Sequence, residues 1–119
     1  MPYTGRPTAL FVQDFQGGMV RYDAVQRWTI RAEDTTALNL NSRESSAVTS
    51  VTINAVLAHG ESVPVMEQDV PGHGHDDTLR RSAQRALLQL DEYAGLSRQA
   101  PVLAVLTLTD DTVQVSLED

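Results

Sequence analysis

The stretch Pro71-Gly72-His73-Gly74-His75-Asp76-Asp77 holds the residues best suited to chemistry in this sequence. Two imidazoles at alternate positions of an extended loop point to one side and can share a cation. Asp69, Asp76 or Asp77 can add hard oxygen ligands, giving a donor set suited to zinc or a similar divalent ion. His73, His75, Asp76 and Asp77 are therefore the candidate metal ligands. The same loop admits other readings. Histidines beside carboxylates titrate near neutrality and can act as a pH-sensitive cluster. Free N–H groups at a helix start, with Arg80 and Arg81, can hold a phosphate, although two aspartates there repel an anion. In the plainest reading the proline and glycines turn the chain, the aspartates cap a helix and the histidines face water.

The string from His73 to Asp77 resembles the HxHxDH motif of metallo-β-lactamase-like hydrolases at His73, His75 and Asp77. Thr78 stands where the last His belongs, His59 is a single spare ligand, and 119 residues are far too few for that fold. Metal-dependent hydrolysis thus stays an alternative resting on the loop alone. With no cysteine in the chain, thiolate zinc sites, Cys nucleophiles and iron-sulfur clusters are excluded. No GxSxG elbow, Walker A lysine loop or GxGxxG string is present. The carboxylate pairs Glu33-Asp34 and Asp110-Asp111 read as turn residues.

Charge narrows the choice of partners. Residues 1–60 balance five Arg against five acids, whereas residues 61–119 set four Arg against eleven acids, so the net charge of -7 belongs to the second half. An acidic chain with few aromatic residues repels phosphate backbones and offers few stacking platforms, which argues against nucleic acid. All nine basic residues are Arg, as expected of a high-GC bacterial or phage genome. No signal peptide and no apolar run of ~20 residues is seen, so membrane partners are not expected and the cytoplasm is the expected location.

The elements that must position these residues follow from periodicity. Residues 8–13 read as a short strand and Asp14 to Gly18 as a hairpin loop. From Val20 the even positions Val20, Tyr22, Ala24, Trp28, Ile30 and Ala32 are apolar, and the interruption at Val25-Gln26 predicts a bulge or bend there. A short strand is expected at Thr36 to Asn41 and a polar turn from Asn41 to Ser46. Val51, Ile53, Ala55 and Leu57 mark the next strand, His59-Gly60 a reversal, and Ser62 to Met66 an edge strand because Pro64 cannot donate to a ladder. One amphipathic helix spans about 77–94, capped by Asp76 or Asp77 and ended by Gly95, with Leu96 making the hydrophobic contact that accompanies a glycine cap. Its inner stripe comprises Leu79, Ala83, Ala86, Leu87, Leu90, Tyr93 and Ala94. Val102 to Leu108 reads as a central strand that turns at Asp110-Asp111 into a closing hairpin.

The expected fold is a single α+β domain over residues 1–119, an antiparallel sheet of about six to eight strands with one helix before a C-terminal hairpin. One helix of ~18 residues is only about 27 Å long and cannot cover that sheet. Either the sheet curls into a barrel-like form or a second subunit packs on it. The outer helix face offers a contact surface: Leu88 projects among Arg81, Gln84, Arg85 and Glu92, an apolar centre with an Arg-rich rim. The function expected is that of a small non-enzymatic binding or assembly protein, a homo-oligomer or the partner of another protein, with no cofactor. The alternatives are a protein using a divalent metal such as zinc at the His73/His75/Asp76/Asp77 loop, and an acidic inhibitor or immunity-type protein steered by its charge.

Overall fold

Leu10 and Val12 lie on one face of a short extended run and both are fully buried. They belong to β1 (Leu10–Gln13), which opens the part of the chain the structure describes, a computed structural model covering residues 10–39, 44–95 and 102–118. The chain then forms β2 (Met19–Arg21), one 3-10 turn (Tyr22–Ala24), β3 (Val25–Asn39), β4 (Glu44–Leu57), β5 (Ser62–Pro71), α1 (Asp76–Ala94), β6 (Val102–Thr109) and β7 (Thr112–Glu118). The fold is α+β with one helix and seven strands among the described residues, but the strands divide into two sheets where one was expected.

The first sheet has the order β2-β1-β6-β7, with β1 and β6 parallel and the other pairs antiparallel. Within it β6 pairs with β1 and β7; Val102, Ala104 and Leu106 are buried on one face, and Leu103 and Val105 are half-buried on the other. The β6–β7 hairpin closes through Asp110 and Asp111 at φ +49° and +64°, the two left-handed residues that a type I′ turn requires. The second sheet, β3-β4-β5, is wholly antiparallel. The bulge expected near Val25 is present, as a register shift between Val25 and Arg27.

Both sheets and α1 share one core, which holds Leu10 and Val12 of β1, Val51 and Ile53 of β4, Met66 of β5, Leu79 and Leu90 of α1, and Val102 of β6. The helix packs on β3 and β4 of one sheet and β7 of the other, so it bridges the layers. Much of the cover that the helix cannot supply comes from the chain's own second sheet. The sheets do not close on each other, so the barrel-like form is not observed.

Several local expectations are corrected. The strand expected at Thr36 to Asn41 is not separate: β3 runs unbroken from Val25 to Asn39, taking Glu33 and Asp34 into its ladder. Ser45 and Ser46, expected in a turn, pair with Leu38 and Ala37 inside β4. The helix begins one turn-capping residue earlier than the carboxylates suggested, with His75 at the N-cap and Asp76 and Asp77 in the first turn, where their charge favours the helix dipole without a capping bond. At the other end Gly95 has φ -76°, an ordinary right-handed conformation rather than the left-handed glycine cap. Leu40, Arg43 and Leu96 lie outside the described residues.

The β3–β4 hairpin is the largest feature of the fold. Fifteen residues of β3 at ~3.3 Å each reach about 50 Å, in a molecule of 63 × 25 × 24 Å. Val48 pairs with Pro71, the last residue of β5, and Gly72 donates its N–H to the Ala47 carbonyl at 2.8 Å; beyond that, among the described residues, the rungs Ala37–Ser46 and Leu38–Ser45 have no third strand.

Candidate functional site

The loop between β5 and α1 is built by geometry that glycine permits. Gly72 and Gly74 have φ +93° and +87°, which lets the chain leave the edge of the second sheet and cross towards β3. Its anchor is a pair of polar residues at inward-facing register positions. Asp34 and Thr49 are directly opposite one another in the β3–β4 ladder. Thr49 is fully buried, and its hydroxyl lies 2.9 Å from both Asp34 Oδ1 and the Gly72 carbonyl oxygen. The same oxygen accepts a long bond, 3.4 Å, from the His75 backbone N–H. Asp34 Oδ1 also accepts the Gly74 N–H at 3.0 Å. The Asp34 carboxyl is held below the usual carboxylate range chiefly by the Gly74 N–H, then by the Thr49 hydroxyl, with His73 and His75 adding smaller favourable fields.

The candidate metal ligands are placed around this anchor but are directed to separate partners. His73 Nε2 lies 2.9 Å from the Thr35 carbonyl oxygen of β3. His75 Nδ1 lies 3.7 Å from Asp111 Oδ2 in the β6–β7 turn. Asp77 accepts a hydrogen bond from Arg80 at 3.2 Å, and Arg80 donates a second one, at 3.0 Å, to the Ala32 carbonyl. Among the described residues no group of three or more His, Asp or Glu side chains is close enough to hold a metal ion. The loop in this conformation is a clasp that fixes the start of α1 against the β3–β4 ribbon and the β6–β7 turn.

The outer face of α1 carries the other candidates. Arg81, Gln84, Arg85, Leu88 and Glu92 are all exposed, Leu88 at 65%. The charges that oppose the helix dipole are partly answered within the chain: Arg80 bonds Asp77 and Ala32, while Asp91 accepts the Tyr22 hydroxyl at 3.0 Å. Tyr22 packs against Trp28, with ring centroids 6.1 Å apart. Burial, and then the bond to Asp91, raise its phenol to about 12. On the inner face Ser82 accepts the Val113 N–H at 2.6 Å, tying mid-helix to β7.

Sequence reasoning missed Asp34, Thr49, Ser82 and Asp111 as contact-forming residues. A signal existed for two of them: Thr49 shares the parity of Val51 and Ile53, and Asp34 that of Ile30 and Ala32, so each is a polar group on an apolar register. The clasp is the partner each needs.

No protein-family model, no curated protein and no solved structure matches this chain. No described helix is long and apolar enough to cross a membrane.

Proposed function

We propose that this protein is a small non-enzymatic assembly protein that associates with copies of itself, with the β3–β4 ribbon as an arm between subunits. The observation that carries this reading is the extension of the ribbon past β5, where the rungs Ala37–Ser46 and Leu38–Ser45 have no third strand among the described residues. A two-stranded ribbon with no covered face is marginal in water, and here both faces are wet: Thr36 and Ser45 to Ala47 are exposed, and Leu38 is 62% exposed near the end. Such an arm has no apolar face to bury on its own body. None of the described residues supplies it a third strand or a cover, and a neighbour's strand or face can. The four large apolar side chains with more than half their surface exposed, Phe15, Met19, Leu38 and Leu88, are spread over the β1–β2 hairpin, the arm and the outer helix face. That spread suits several contacts with neighbours better than one enclosed ligand pocket.

The test compares the wild-type chain with a shortened one in which residues 37–46 are removed and Thr36 is joined to Ala47 through Asn-Gly, a two-residue hairpin turn. Light scattering across a concentration series reads the mass. The reading expects wild type to exceed one chain and the shortened, still cooperatively folded chain to lose mass. A wild-type chain that stays monomeric at every concentration contradicts it.

A further inference from the structure

The outer face of the β3-β4-β5 sheet is electrically polarised across its strands. On this face β3 presents Arg27, Arg31 and Glu33, all exposed, and β5 presents Glu67 and Asp69, also exposed. The ladder fixes their order: Arg31 pairs with Thr52, which pairs with Glu67, and Ser50 pairs with Asp69. Two strand spacings, about 9.6 Å, separate the rows, and among the described residues no ion pair spans the middle strand. Among the described residues neither Arg27, Arg31 nor Glu67 has an ionic partner. Asp69 takes only the Ser50 hydroxyl, at 2.6 Å. Both strands are sheet edges; within the chain Arg80 bonds the Ala32 carbonyl and His73 the Thr35 carbonyl of β3, and Phe15 bonds the Pro64 carbonyl of β5.

We infer that a second copy of this chain docks head to tail on this sheet, its β3 row of Arg27 and Arg31 against the β5 row of Glu67 and Asp69. The inference rests on the self-assembly reading above and names the surfaces used. A two-fold contact between β5 edges sets carboxylate on carboxylate, which is repulsive, and one between β3 edges, where Arg31 and Glu33 can answer each other, leaves Glu67 and Asp69 unanswered. The β3-to-β5 contact brings the arginines to those carboxylates, and it is heterologous. It leaves a free edge at each end and so continues to a ring or a filament of more than two subunits.

The strands also select a register. Both β3 and β5 run antiparallel to β4, so a neighbour's β3 lies alongside β5 in the same direction. Placing Arg31 opposite Asp69 sets Glu33 beside the uncharged Pro71; a two-residue slip brings Glu33 against Asp69 instead. The acidic side carries an apolar anchor as well. Phe15, 52% exposed, donates its N–H to the Pro64 carbonyl at 2.9 Å and lines a depression with Glu67 and Asp69.

Charge exchange tests this directly. One variant carries Arg27→Glu with Arg31→Glu and has two acidic rows; the other carries Glu67→Arg with Asp69→Arg and has two basic rows. Circular dichroism and urea unfolding check that each folds, and the milder Arg27→Gln/Arg31→Gln and Glu67→Gln/Asp69→Gln pairs replace either one that does not. Native mass spectrometry then reads each variant alone and the equimolar mixture. The inference expects wild type to exceed two subunits and to lose mass as salt rises, and each variant alone to be monomeric. Mixing the charge-reversed pair restores assemblies with equal numbers of each. With the neutral pairs, loss of assembly alone is the expected result. A wild-type assembly that survives these substitutions overturns the inference but leaves self-assembly standing. A closed wild-type dimer, or reversed variants that stay monomeric when mixed, overturns it too. A monomeric wild type overturns both.

Discussion

Replacing Thr49 by Val keeps the shape of a fully buried side chain and removes one hydroxyl, the atom that joins β3, β4 and the loop before α1. The one hydroxyl proton is shared between the Asp34 carboxylate and the Gly72 carbonyl, and the hydroxyl oxygen accepts the His75 N–H, so the losses are unequal. The Asp34 carboxylate is exposed and recruits water in place of the hydroxyl, while it keeps the Gly74 N–H. The His75 contact is long, at 3.4 Å, and counts for little. The main loss is at the Gly72 carbonyl, so the expected cost is about 1–2 kcal/mol, one unsatisfied buried group rather than three. Thr49→Ser keeps the hydroxyl and gives up one buried methyl, about 1 kcal/mol. Urea unfolding at neutral pH measures both through the shift in midpoint at constant slope. Combining Thr49→Val with Asp34→Asn should cost less than the sum of the single changes. A Thr49→Val protein as stable as wild type, or full additivity with Asp34→Asn, refutes the clasp.

Other consequences are open to the same assays. Because folding lowers the Asp34 carboxyl, its contribution is complete above the unfolded value of about 3.9 and is lost as pH falls from there through the lower folded value. Asp34→Asn should flatten that part of the acid limb, and an unchanged limb counts against the anchor. Folding raises the Tyr22 phenol to about 12, so its contribution is intact below about 10 and is lost as pH rises through about 12. Asp91→Asn should lower the midpoint in an alkaline absorbance titration. Ser82→Ala leaves the Val113 N–H without its acceptor and should cost about 1–3 kcal/mol in urea unfolding. Leu90→Ala, at a fully buried site, should cost about 2–5 kcal/mol, while the outward Leu88→Ala stays within about 0.5 kcal/mol.

The parts of the fold legible in the sequence were those governed by periodicity and by residues with few conformational options. The inner stripe of α1, the both-sided apolar β6, the Asp110-Asp111 turn and the edge position of Pro64 follow from the local chain alone. The division into two sheets does not: it depends on β1 pairing with β6, some ninety residues away, and no local pattern encodes that pairing. The single long β3 was hidden because its outer third is Thr-Thr-Ala-Leu, with neither face buried and hence no alternation to read. For the loop, residue types indicated a metal-ligand set, but imidazole direction is decided by tertiary neighbours. Thr35 and Asp111 receive His73 and His75 on different elements. The polarised face was visible only as scattered Arg and acidic residues until the ladder set Arg31, Thr52 and Glu67 in one row.

Self-association is the claim on which the functional account stands, and the mass of the wild-type chain in dilute, low-salt solution tests it most directly. Light scattering should return a mass of more than two chains that falls as the protein is diluted or salt is added. A mass of one chain, constant across concentration and ionic strength, contradicts the account.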